Sequence, residues 1–467
     1  MSGTRSHLSR RAVLRALLGG GTAAFAGAPL GLSLMSAAAP SRAASADDYR
    51  ALVCVLLAGG ADSFNMLVPS DPDGHAEYAA ARSDLALPLG DLVELAGTHQ
   101  GGRRFGMHPG LAPLAPLFES GELAWLANAG SLVEPTSPDA LAAGTARLPL
   151  GLYSHSDQIA QWQTAVADVR TGRGVGGRIA DLLGDVNGVV PVSMNLSVSG
   201  TNVFQSGAAS REYAIDPRSG GAPVPAGYGE DAEGGEILTP AIDAMLAAPR
   251  SRILRAAYGE RFAAALAAGE AFNDALAATP VPATPFPASP FGDALALIAH
   301  VIAARGALGP VRQTFFVNFG GWDHHDDVLD NQAAMLPVVG HGLAAFRDAM
   351  VELGVHGRVT TFTISDFGRT LSSNGKGSDH GWGGNALILG GAVNGGELHG
   401  NYPSLALGSA LDTGRGRLLP TTSVAELYAE MALWFGVAPS DVPLVVPNIG
   451  RFADVSGGVL PVGFLRG

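Results

Sequence analysis

The chain has 467 residues, 47% apolar and only 15% charged, enough to bury the core of one large α/β domain or two ordinary ones. Its formal charge is −13, and removal of residues 1–46, which hold five Arg and no acid, takes it to −18. So acidic a chain argues against a nucleic-acid partner, and past the N-terminus no run of about 18 apolar residues offers a membrane span.

The N-terminus reads as an export signal. Ser9-Arg10-Arg11-Ala12-Val13-Leu14 has the twin-arginine pattern, an apolar stretch follows from Ala16 to Met35, and Ala44-Ser45-Ala46 supplies a small-residue cleavage site. This predicts a signal peptide over 1–46, the twin-arginine machinery as a partner, and a periplasmic or secreted mature chain. That route carries folded proteins, which suits a chain that acquires a cofactor or metal, or a partner, before export. Residues 47–467 then form a single α/β domain. Cys54 is the only cysteine, so no internal disulfide forms, and its apolar surroundings make it a small core residue.

Leu52 to Leu57 reads as a buried strand, and Ala58-Gly59-Gly60-Ala61-Asp62 ends it. Asp62 at that tip either caps a short helix or ligates a metal. Helices are predicted near Ala76 to Arg82 and over Leu111 to Glu119, and a strand over Ala124 to Ala127. Tyr153-Ser154-His155-Ser156-Asp157-Gln158 opens a helical pattern. Ser154 or Ser156 is an N-cap there, or a nucleophile at a helix N-terminus suited to an anionic ester.

Gly172 to Gly177 has no strand directly before it and no lysine, so it reads as a turn ahead of a helix over Arg178 to Leu183. Val189 to Val198 reads as a strand. Residues 205–235, rich in Gly and Pro, make a surface loop or insertion. Ala241 to Ala278 is helix-rich, Pro280 to Pro290 breaks it, and a further helix runs from Phe291 to Arg305.

The strand Gln313 to Phe319 ends at Gly320-Gly321-Trp322-Asp323-His324-His325-Asp326-Asp327. In an extended segment residues i and i+2 share a face, so Asp323 and His325 can hold one ion with His324 turned aside. Imidazole with carboxylate suits Zn, Mn or Fe better than Ca. A second cluster follows the strand Val359 to Ile364. Asp366 lies at its tip, and a polar Gly-rich loop then carries Asp379 and His380. Ligands of open α/β sheets sit beyond the carboxyl ends of strands. Asp366 alone fits a capped turn, whereas the clusters together fit a site for one or two divalent ions. Arg369 is either an anion clamp or one half of a salt bridge. Ser423-Val424-Ala425-Glu426 is a capping box that starts a scaffold helix.

The leader, LAGGADSFNMLVP at 57–69, HPGLAPL at 108–114, SHSDQIAQW at 154–162, FGGWDHHDD at 319–327, SDFGRT at 365–370 and SDHGWGG at 378–384 occur in order. GGAVNGGELHGNYPSL at 390–405 and LLPTTSVAELYAEMALWFGV at 418–437 complete the set. This pattern resembles the exported domain-of-unknown-function family 1501, a branch of the alkaline phosphatase/sulfatase-like superfamily. The resemblance implies a three-layer α/β sandwich with a mostly parallel central sheet. It also implies a metal-dependent hydrolase of small phosphate or sulfate esters. Asp62, Asp323, His325, Asp366 and His380 resemble metal ligands, and Ser154 resembles the nucleophile. Two features depart from the pattern. Phe367 stands where active superfamily members place a histidine, and His155-Ser156 replaces an expected His-Phe pair. No sulfatase-type Cys motif is present. The alternative is a non-catalytic exported protein that keeps the fold for binding or assembly.

Overall fold

The structure is a computed structural model that describes residues 48–225, 228–229, 235–248 and 252–466. The export leader expected over 1–46 lies outside the described residues, as does part of the 205–235 stretch.

Fourteen strands occur in chain order among the described residues. They are β1 (Arg50–Ala58), β2 (Leu67–Pro69), β3 (Val93–Glu94), β4 (Phe105–Met107), β5 (Leu123–Gly130), β6 (Asn195–Ser197) and β7 (Tyr213–Ala214). Then come β8 (Arg312–Gly320), β9 (Val359–Ser365), β10 (Arg369–Ser373), β11 (Ser378–His380), β12 (Gly384–Leu389), β13 (Leu398–Gly400) and β14 (Thr422–Ser423). The helices that matter below are α1 (Pro72–Arg82), α2 (His155–Thr164), α3 (Val175–Leu183), α4 (Pro290–Ala303), α5 (Val328–Glu352) and α6 (Val424–Phe435).

The large sheet runs β13-β5-β12-β9-β1-β8-β6-β7, with β14 also paired to β5. Every pairing is parallel except those of β12, which runs antiparallel to both β5 and β9. A parallel strand covered on both faces reads as a continuous apolar run, and β1 does so because it serves two cores. Ala51, Val53, Val55 and Leu57 pack toward Phe291 and Leu295 of α4 and Leu336, Val339 and Phe346 of α5. Leu52, Cys54 and Leu56 pack toward Ile179 of α3 and Leu427, Tyr428 and Met431 of α6. The result is the three-layer sandwich, with helices on both faces of a mostly parallel sheet. No described helix is long and apolar enough to cross a membrane.

Three expectations change. The helix over 111–119 divides into a 3-10 turn, Pro109–Leu114, and a short helix, Ala115–Glu119, because Pro113 and Pro116 lack the N–H a continuous helix needs. The strand over 189–198 shrinks to β6, since Pro191 cannot donate to a ladder and Val189 is fully exposed. The loop carrying Asp379 and His380 is partly a hairpin in which β11 pairs antiparallel with β10, Arg369 opposite His380. That pairing fixes where His380 stands. Other features follow the sequence. Ser423 and Glu426 complete the capping box of α6, and Gly436 ends that helix in the left-handed region.

The registers Ala58↔Gly320 and Leu57↔Ser365 bring the carboxyl ends of β8, β1 and β9 side by side. The segments beginning at Gly59, Gly321 and Asp366 therefore leave the sheet at one edge.

Candidate metal centre

Three imidazoles and one carboxylate meet at that edge. His155 Nε2 lies 3.1 Å from His380 Nε2, and His325 Nε2 lies 3.0 Å from the same atom. Asp323 stands among them, 3.1 Å from His325 Nε2, 3.5 Å from His155 Nε2 and 3.5 Å from His380 Nε2. Four ligands held tetrahedrally at 2.0–2.2 Å from one ion are separated by about 3.3–3.6 Å. His155, Asp323 and His380 each offer an atom within 4.8 Å of the others and can share one cation, while His325 joins through its approaches to His380 and Asp323. His155, Asp323, His325 and His380 all keep part of their side chains exposed.

Each ring has its other nitrogen fixed by an oxygen. His380 Nδ1 donates to the Tyr153 carbonyl at 2.8 Å, His155 Nδ1 to Asp366 Oδ2 at 2.7 Å, and His325 Nδ1 to Asp379 Oδ1 at 3.2 Å. An acceptor at Nδ1 assigns the proton to that nitrogen and leaves Nε2 as a lone pair. Three lone pairs and a carboxylate thus face one another, an arrangement that invites a cation. The N–H to carboxylate or carbonyl support is also what orients metal-binding histidines. Burial pushes His380 below the usual imidazole range, which keeps it neutral and able to ligate. Burial would raise Asp323, but the Arg369 hydrogen bond and charge outweigh it and hold the carboxyl below its ordinary value.

Local structure explains the placement. Tyr153 takes a left-handed backbone, φ +70°, just before α2 begins at His155. Its carbonyl thereby reaches His380. Gly59, φ +121°, lets β1 turn away beneath the 322–323 backbone, and a Cβ there would stand 2.5 Å from Asp323 N. The Gly59 N–H in turn donates to Asp366 Oδ1 at 2.9 Å.

The residues singled out from the sequence divide into three groups. Asp323, His325 and His380 stand together. Asp366 is one step removed, because its buried carboxylate orients His155 instead of facing the Nε2 atoms. Asp62 stands apart: it is buried against Arg82 Nη2 at 2.6 Å and accepts from Ser378 Oγ at 2.8 Å. A buried carboxylate needs such partners, so here the cation it meets is a guanidinium. Arg369 is buried too. Its guanidinium donates to the carbonyls of Gly59, Gly60, Trp322 and Ser378 and to Asp323. It braces three loops and Asp323, and it is not free to clamp a substrate. Ser154 occupies the N-cap position of α2 without capping it, and its hydroxyl meets Ser156 Oγ at 3.1 Å and the Asp157 carboxylate.

His155 is the member that sequence reasoning missed. Its neighbours Ser154 and Ser156 drew the attention as cap or nucleophile, and a lone histidine at a helix start carries no spacing signal. Phe367 forms the wall behind the rings, 4.8 Å from the His155 centroid and 4.5 Å from that of His380. His324 is turned inward beside Trp322 and stays out of the cluster.

Fold and site together define an α/β sandwich with a His/Asp cluster at the carboxyl edge of its sheet. The model of the family described as "Protein of unknown function (DUF1501)" matches residues 261–450, which include Asp323, His325, Asp366 and His380. No curated protein matches the chain. Among solved structures, Ps i-CgsB in complex with k-i-k-neocarrahexaose is similar at 12% identity and a TM-score of 0.30, over 83% of this chain and 72% of that one. A 2-O GAG sulfatase is similar at 10% identity and 0.28, over 84% and 71%. A mutant of alkaline phosphatase PafA is similar at 10% and 0.24, over 69% and 63%.

Proposed function

We propose that this chain is an exported, metal-dependent hydrolase of phosphate or sulfate esters. The observation that carries the reading is the set of three Nε2 lone pairs, each locked in its tautomer, converging with Asp323. His155, Asp323 and His380 would hold one divalent ion of the Zn, Mn or Fe type, with His325 beside them against Asp323 and His380. Such an ion, when bound, polarises an ester oxygen and lowers the pKa of a bound water. The protein's own part is to orient. Asp366, Asp379 and the Tyr153 carbonyl fix the rings, and Arg369 keeps Asp323 ionised. Ser154 and Ser156 are the hydroxyls that flank His155 in the chain, and Ser154 is the nucleophile candidate. Its carboxylate partner, Asp157, is paired with Arg170 at 2.7 Å and held below the usual carboxylate range chiefly by that hydrogen bond, which makes it a poor base and favours attack by water. In this reading the leader sends the folded chain to the periplasm or beyond, where a small anionic ester is the substrate.

Metal analysis of the purified protein tests the reading, together with hydrolysis of p-nitrophenyl phosphate and p-nitrophenyl sulfate. One tightly held transition metal per chain is expected, with ester cleavage that disappears in His155→Ala and Asp323→Ala. Protein that holds no such metal after exposure to Zn, Mn and Fe would overturn it. A second reading, a non-catalytic protein that retains the fold, is favoured by Phe367 against the rings. Metal binding without turnover of either ester would select it.

A further inference from the structure

We infer that Arg415 is a positioning residue for the metal centre: acting through Asp379, it holds the His325 ring where that ring joins His155, Asp323 and His380 around one ion. This rests on the metal-ion reading above. His155, Asp323 and His380 converge by themselves, while His325 stands to one side of them against His380 and Asp323. His325 is also the most exposed of the three rings, 42% against 36% for His155 and 25% for His380, so packing restrains it least.

Arg415 occupies an unusual backbone. Its φ is +62°, between Gly414 at +110° and Gly416 at +71°. Glycine suits such a conformation and arginine rarely adopts it, so an arginine placed there points to a use for its side chain. The surroundings enforce the turn. Asp412 Oδ1 accepts from the N–H groups of Gly414 and Gly416, both at 2.7 Å. Ser372 Oγ donates to the Arg415 carbonyl at 2.9 Å, and the Leu371 N–H to that of Gly416 at 3.1 Å. The turn is thus fastened to β10, which pairs with β11, the strand that carries Asp379 and His380.

An unbroken series of contacts runs from that side chain to the cluster. Arg415 Nη2 lies 2.6 Å from Asp379 Oδ2. The other oxygen, Oδ1, accepts from His325 Nδ1 at 3.2 Å. His325 Nε2 in turn lies 3.0 Å from His380 Nε2 and 3.1 Å from Asp323 Oδ1. Asn374 Nδ2 supports the same oxygen as His325, donating to Asp379 Oδ1 at 3.2 Å and to the His325 carbonyl at 3.0 Å. Among the described residues Arg415 is the ion-pair partner of Oδ2. A carboxylate held at both oxygens does not swing about its Cβ–Cγ bond, and the ring it accepts from keeps its direction.

The sign of the effect separates positioning from plain electrostatics. A guanidinium close to a dication repels it, so removing the charge alone would tighten metal binding. Removing a group that orients a metal-binding histidine weakens it.

Competition for zinc against a chromophoric chelator tests this. Arg415→Gln is expected to weaken zinc binding roughly threefold to tenfold, less than removal of a direct partner, because the pair is one contact further out and partly exposed. Arg415→Lys should recover part of the loss. Arg415→Gly releases the left-handed backbone, so it should lose the same affinity while the metal-free protein melts at or above the wild-type temperature. In a His325→Ala background, which keeps the other three ligands, Arg415→Gln should change nothing further. Equal or tighter zinc binding in Arg415→Gln overturns the inference and leaves the metal site standing. A loss of the same size in the His325→Ala background does so too. A wild-type protein that holds no zinc removes the metal-ion reading and this inference with it.

Discussion

Asp366→Asn isolates one link in the proposed metal centre. The carboxylate accepts twice, from Gly59 N at 2.9 Å and from His155 Nδ1 at 2.7 Å. An amide of the same shape offers one acceptor and one donor. If its oxygen keeps Gly59, its NH2 meets the Nδ1–H of His155, donor against donor. His155 then either breaks away or moves its proton to Nε2, and either change withdraws one ligand from the cluster. Removing the partner that orients a metal-binding histidine lowers affinity about 10–100-fold, equivalent to about 1.4–2.7 kcal/mol. The assay is competition for zinc against a chromophoric chelator, with the melting temperature of the metal-free protein measured alongside. The expected result is weaker zinc binding with a melting temperature near wild type, since the Gly59 bond survives. Wild-type zinc affinity in a folded Asp366→Asn protein would refute the reasoning, because it would show that the Nδ1 contact does not set the tautomer.

Arg82→Met should destabilise the fold by about 3–5 kcal/mol in urea titrations, because Asp62 is left buried and unpaired, and the double variant with Asp62→Asn should recover part of that. Metal content per folded chain should not change in either, whereas a loss would make Asp62 a ligand after all. Phe367→Ala should cost about 3–5 kcal/mol by the same titration through the cavity left behind His155 and His380. Burial holds His108 down at about 4 from an ordinary 6.5. A histidine depressed in the native state is bound to fewer protons than in the unfolded chain. The associated stability is therefore fully present above about pH 6.5 and lost as pH falls toward 4, on the order of 3 kcal/mol in all. His108→Asn keeps an acceptor for the Gly110 N–H that His108 now caps. It should flatten that part of the pH–stability curve, and an unchanged slope would remove His108 as the cause.

The elements that were legible in the sequence are those whose signal is local. Apolar runs gave β1, β8 and β9, and the Ser423–Glu426 box gave the start of α6. Strand-end glycines with acids and histidines pointed to the right edge of the sheet. What stayed hidden depends on partners distant in the chain. The reversed direction of β12 leaves no trace in its own apolar residues. Asp62 at a strand tip fits a metal as well as it fits Arg82, and only the packing of α1 against that loop decides. Arg369 looked available because nothing near it in sequence shows four carbonyls converging on its guanidinium. His155 required knowing that the start of α2 faces β11.

The lone thiol gives the molecule a built-in reporter. Cys54 sits in the middle of β1 with no solvent exposure, between two core-forming neighbours, and its burial pushes the thiol well above the usual range. A reagent that reacts with thiolates cannot reach it through loop opening at the sheet edge. Modification should require exposure of the central strand, so the rate of single-site labelling follows the most global opening of the fold. Ligands that slow that labelling can be ranked on unmodified protein, with no engineered probe.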